Sequence, residues 1–323
     1  MQVEYEDPRK TERRDLLRTG SILGVAMLLI TVLNYGISIL YYIVMQNVYG
    51  YSGQQAYELA MTNEFVNNGL NAILSFSAFV LPFLFCALIL KINIKKCFFE
   101  RIQTTPLVSL LCVLFGLGMA MVGNIVSGIV ADFFKIFTHS QPVQPSSGDG
   151  VFSSGFEMIF ALVCTALIPA LFEEFAFRGV MLQALCKYGD GVAIAVSSLA
   201  FALMHGNFSQ IPFALILAFA LGTITVITGS VAPAVIVHLV NNCFAFCSAY
   251  MQAKTISNLA LAMLALGFVA IWVLGKKGCF RTIKDVPSFY SRSTRSALVL
   301  VSPVMLLSIL LFLWQAFSMM VQM

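Results

Sequence analysis

The chain has 323 residues, of which 59% are hydrophobic and only 11% charged, and its formal net charge is +4. A soluble domain carries about a quarter charged residues, so this composition excludes an ordinary cytosolic enzyme, a disordered protein and a secreted disulfide scaffold. No Lys/Arg cluster is interleaved with aromatic residues, which argues against nucleic acid as a partner. The eight cysteines (Cys86, Cys97, Cys112, Cys164, Cys186, Cys243, Cys247, Cys279) mostly sit in apolar runs with no CxxC spacing, and they read as small core residues. The partner this composition implies is the lipid bilayer. The expected fold class is all-α, a polytopic transmembrane helix bundle of about eight to nine spans.

In chain order, no charge occurs between Arg18 and Glu58, and residues 20–45 supply the first span. It is too long for a signal-peptide core and reads as a retained anchor. Residues 70–90 and 106–130 are the second and third spans. A polar stretch rich in Pro, Ser and Gly, 139–150, then closes a first part, 1–150. The next part, 151–250, is expected to hold four spans. Its residues 191–253 contain not one Asp, Glu, Lys or Arg in 63 positions, with breaks at 206–212 and 229–233. Two further spans, 256–275 and 297–321, form the last part, 251–323.

Orientation follows from the short-loop Lys/Arg bias. Five basic residues lie in the N-terminal tail, four in 91–101, one at Lys187 and six in 276–296; under alternating topology all fall on one side. The reading is a multi-pass protein of the cell membrane with a cytoplasmic N-terminus and an external C-terminus.

Ionisable residues inside a span cost several kcal/mol and are functional candidates by default. Glu174 and Arg178 are four residues apart with the Glu first, the better order for an intrahelical ion pair. Glu173, about 100° around the helix, has no such partner and is left for chemistry. His205 and Glu173 each lie 16 residues from Gly189 in the intervening turn. In an antiparallel hairpin of regular helices, equal spacing means equal depth. His238 and Asn242, four apart on a later span, share one face. A carboxylate and an imidazole can hold and deprotonate a water, and imidazole and amide N–H groups can stabilise an oxyanion. Peptide-bond hydrolysis requires that inventory.

Residues 173–179 read EExxxRG, 201–205 read FxxxH and 238–242 read HxxxN. In this order and spacing they resemble the CPBP family of intramembrane proteases, which includes the type II CaaX prenyl endopeptidases and the bacterial Abi/bacteriocin-immunity proteins. The resemblance covers about residues 156–247. It implies Glu173 as general base, His205 as a holder of the attacking water, and His238 with Asn242 as the oxyanion site. Glu174 and Arg178 are then structural support. The substrate implied is a membrane-associated peptide or protein. No cofactor is required, although the family has been described both as glutamate proteases and as metalloproteases, and Glu173, His205 and His238 could instead ligate zinc.

The alternative function is a non-proteolytic membrane scaffold, or a bacteriocin-immunity protein, of the same fold. An intact Glu/His/His/Asn set favours the enzyme, because a scaffold is free to lose it. A transporter requires repeat symmetry around a midplane site, which the sequence does not display.

Overall fold

A computed structural model of the chain describes residues 7–95, 102–138, 152 and 154–321. Cys97 and the whole of the polar stretch 139–150 lie outside the described residues. Among the described residues there are helices and no strand. In order they are α1 (Pro8–Asn47), α2 (Gly53–Thr62), α3 (Glu64–Ile89), α4 (Pro106–Thr138) and α5 (Gly155–Cys186). There follow α6 (Asp190–Leu203), α7 (Ile211–Thr228), α8 (Ala232–Ser248), α9 (Ala253–Lys276), α10 (Arg292–Leu300) and α11 (Pro303–Val321).

Local chemistry explains the ends. Asp7 caps α1 through the amide of Arg9, with Pro8 next, where its missing N–H is harmless. Ser52 and Gln55 form a reciprocal capping box at the start of α2. Ser154 caps α5 and Ser291 caps α10. Gly189, in the α5–α6 turn, has φ +105°, and a Cβ there meets the Asp285 carboxylate at 2.8 Å. Glycine satisfies both the backbone and the space.

Six helices are long and apolar enough to cross a membrane, or seven if the pair α10–α11, bent by 75° at 301–302, counts as one broken span. The other two apolar helices, α6 and α8, are shorter. The expected eight to nine passes are therefore reached only if those two cross as well. α2 is an element that the span count did not include.

The buried apolar residues fall into two clusters. One joins α1, α3, the C-terminal half of α5, α6 and the α10–α11 pair around Phe83, Phe177 and Phe201. The other joins α4, α7, α8 and α9 around Cys112, Leu221 and Val237. Helix α7 contributes to both, through Ala214 and Ala218 to the first and Leu217 and Leu221 to the second. Polar residues gather at the seam between them.

One further feature affects the hairpin. α5 is not a regular α-helix: it widens into π-helical turns at Val163–Leu167 and Phe175–Leu182. The second of these lies between Glu173 and the turn at Gly189, so the assumption of two regular arms does not hold. Residue counting alone does not set the relative depth of Glu173 and His205.

Candidate active site

Glu173 and Glu174 end the α-helical stretch of α5 that precedes the second π-segment. Such segments are frequent at functional sites, because they redirect side chains that a regular helix would stack. Arg178 still reaches back one turn: its Nη1 donates to Glu174 Oε1 at 2.9 Å, and both side chains are completely buried. Its Nη2 donates to the Ala218 carbonyl of α7 at 3.0 Å. The intrahelical ion pair expected from the sequence is present.

Glu174 also does something the spacing did not reveal. Its Oε1 lies 2.8 Å from Nδ1 of His238 on α8, across the seam between the two clusters. An ionised carboxylate only accepts, so Nδ1 carries a proton, and any chemistry by His238 passes through Nε2. That atom lies 4.0 Å from Glu173 Oε2. A neutral ring donating from Nδ1 presents a lone pair at Nε2; a ring donating from both nitrogens is positively charged. Donation from Nε2 to an oxyanion therefore requires a ring protonated on both nitrogens.

His205 follows the last turn of α6. Its Nδ1 pairs with the Phe201 carbonyl at 2.9 Å, and because a carbonyl only accepts, Nε2 is again the outward nitrogen. Phe201 is buried and acts as a platform. Its ring centroid lies 5.1 Å from that of His205 and 5.9 Å from that of His238, and the Arg178 guanidinium carbon sits 4.6 Å from it. Phe177 packs on Phe201 edge-on at 5.2 Å and passes the contact to Phe83. Both histidines are thus oriented by one aromatic stack.

Asn242 accepts at Oδ1 from Asn241 Nδ2 at 3.4 Å, a long bond that orients the amide. The donor atom of Asn242 is then the one that can serve an incoming oxygen. The His238 side chain is 6% exposed, whereas that of Glu173 keeps 13% accessible; the Glu174 side chain keeps none. The two adjacent carboxylates are thereby distinguished by access as well as by partners.

The structure thus links Glu173, Glu174, Arg178 and His238 through direct polar approaches, and brings His205 to the same cluster through Phe201. Sequence reasoning missed the Glu174–His238 contact and the platform role of Phe201. No sequence signal identifies the first, since the pair is 64 residues apart on separate helices. For the second, the FxxxH spacing is a usable signal, since residues four apart on a helix share a face. Among the described residues no group of three or more His, Cys, Asp or Glu side chains is placed to hold a metal ion.

Residues 155–244 match the family described as type II CAAX prenyl endopeptidase Rce1-like. The matched segment contains all three motifs and bears out the resemblance read from them. No curated protein and no solved structure matches the chain.

Proposed function

We propose that the protein is an intramembrane endopeptidase that hydrolyses a peptide bond of a membrane-associated protein or peptide. One observation carries the reading: a partly accessible carboxylate, Glu173, lies 4.0 Å from an imidazole nitrogen whose opposite nitrogen is held by a second, buried carboxylate. A helix-packing role for His238 needs neither the second carboxylate nor the 13% opening at Glu173. The family match over 155–244 is consistent with the same chemistry.

In the reaction, Glu173 takes a proton from a water as that water's oxygen attacks the scissile carbonyl carbon. His205 Nε2 helps hold the water. The carbonyl oxygen becomes an oxyanion, which receives N–H donation from His238 Nε2 and Asn242 Nδ2. Glu174 compensates the positive charge on His238, as the buried carboxylate of a Ser-His-Asp triad does for its imidazole. Collapse of the tetrahedral intermediate breaks the C–N bond, and Glu173 returns its proton to the leaving nitrogen. The remaining water proton passes from the new carboxylic acid to the amine, the products are a carboxylate and an ammonium, and the side chains end in their starting state.

Three basic segments share one end of the molecule. Lys187 pairs with Asp15 of α1 at 2.8 Å, and Arg295 Nη1 donates to the Tyr188 carbonyl at 2.6 Å. By the positive-inside bias this end is cytoplasmic and the N-terminus with it. The cell membrane is the proposed location.

Comparative membrane proteomics of wild type against Glu173→Ala tests the reading. A peptide that accumulates uncut in the variant, and that purified wild type cleaves in the presence of a chelator, is the expected result. Equal peptide patterns in both strains defeat the protease reading. Cleavage lost on chelation and restored by zinc defeats the metal-free mechanism alone.

A further inference from the structure

At the basic end of the molecule, α1 and the α10–α11 bend line an open notch of about 420 Å³. Its α1 wall is formed by Lys10, Arg13, Arg14 and Arg18, with Leu17 and Ser21 continuing toward the apolar part of the helix. These positions recur every three or four residues, so they occupy one helix face. The opposite wall is Pro303, the first residue after the 75° bend. Immediately beyond Ser21 the helices close: a Cβ added at Gly24 meets the Met305 amide nitrogen at 2.3 Å. The notch therefore has a fixed floor and opens outward.

The acidic side chains of the same stretch are committed to the other face of α1. Glu12 accepts from the Ser288 hydroxyl and from the Phe289 amide, the latter at 3.1 Å. Asp15 accepts from Lys187 at 2.8 Å and from the Tyr188 hydroxyl at 2.7 Å. The loop 284–290 and the α5–α6 turn hold Glu12 and Asp15 away from the notch, whose mouth carries Lys10, Arg13 and Arg18 above Leu17 and Pro303. Sequence position puts this mouth where the first span leaves the bilayer.

We propose that the notch binds the headgroup of one anionic phospholipid, its phosphate held by Lys10, Arg13 and Arg18 and its upper acyl chain lying along Leu17 and Pro303. The paired character of the lining, charged at the mouth and apolar at the floor, matches an amphiphile and not a free anion. Each Lys or Arg beside an anionic headgroup contributes about fivefold to binding. The proposal is independent of the catalytic reading, since its measurement is lipid retention.

The test uses the full chain in a zwitterionic detergent, with bound phosphatidylglycerol counted by native mass spectrometry. One lipid is expected to be retained by wild type. The Lys10→Gln/Arg13→Gln/Arg18→Gln variant should weaken retention on the order of a hundredfold. Ser21→Leu, which fills the notch and leaves every charge in place, should weaken it as well. A control that neutralises Lys276, Lys277 and Arg281 to Gln should change retention by less than about threefold, as for charges outside the notch. An equal loss in that control, or full retention by Ser21→Leu, overturns the site in favour of diffuse attraction. Displacement of the lipid by inorganic phosphate or glycerol phosphate at comparable concentration overturns the lipid as the ligand.

Discussion

Glu174–Arg178 and Asp15–Lys187 are ion pairs of nearly equal length, 2.9 and 2.8 Å, the first within α5 and the second joining the turn after α5 to α1. The first has both side chains fully buried; the second leaves them 49% and 47% exposed. Burying two charges costs several kcal/mol per ion after relaxation, and an apolar pair of the same volume is often as stable or more so. A buried pair is therefore poor evidence of selection for stability alone. Its retention points to what else Glu174 touches, and that is His238. The exposed pair touches the α5–α6 turn and helps fasten it to α1, with water sharing both charges.

The largest expected effect in this comparison is chemical. Glu173→Gln keeps volume and shape but removes the base, so cleavage by purified protein should fall about 10²–10⁴-fold. Thermal unfolding should stay within about 1 kcal/mol of wild type, as for a site that is not fully buried. Glu174→Gln should behave differently. It leaves the Arg178 charge with neutral partners, the Ala218 carbonyl and the Phe201 ring among them, and breaking a buried pair from one side costs about 3–5 kcal/mol. Adding Arg178→Met to it should restore stability while activity stays low, because His238 still lacks its carboxylate. Recovery of both by the double variant means that Glu174 serves only Arg178, and that the buried and exposed pairs differ in degree but not in kind.

The sequence carried much of this arrangement because its signals were local. Charge-free stretches located α1, α3, α4, α7 and α9, since lipid excludes charge over any span-length run. The i,i+4 spacing located Glu174–Arg178, because helix geometry fixes that distance wherever the helix is placed. What it did not carry is set by packing between distant elements. The π-segments of α5 arise where α5 meets other helices, and the Glu174–His238 bond depends on how α8 lies against α5. Two features were missed although their local marks were present. Ser52-Gly53-Gln54-Gln55 is a capping-box pattern that announces α2. Pro303 marks the break between α10 and α11.

A smaller effect separates the exposed latch from the buried network by pH. Asp285 accepts from Arg292 Nε and from Arg295 Nη2, each at 2.7 Å, and these bonds hold its carboxyl down at about 2. A carboxyl whose folded value is depressed contributes stability above its ordinary value of 3.8 and loses it as pH falls toward about 2. Acid titration of wild type against Asp285→Asn should therefore show curves that converge between about pH 4 and pH 2. Curves that stay separated below pH 2 mean that the latch works through packing instead of charge.

The smallest expected effect belongs to the exposed pair itself. Lys187→Met removes one charge from a pair with about half of each side chain in water, where such pairs contribute roughly 0–1 kcal/mol. Asp15 retains the Tyr188 hydroxyl at 2.7 Å, so the α1-to-turn connection survives the substitution. The loss in unfolding free energy should lie in that low range and fade in about 1 M salt, where screening acts within about 3 Å. Glu174→Gln, with its carboxylate shielded from solvent, should show a loss that salt barely changes. The ratio of the two salt dependences measures burial directly. If Lys187→Met instead costs as much as Glu174→Gln and is indifferent to salt, the turn is a rigid support of the site, and its charges belong with the buried network.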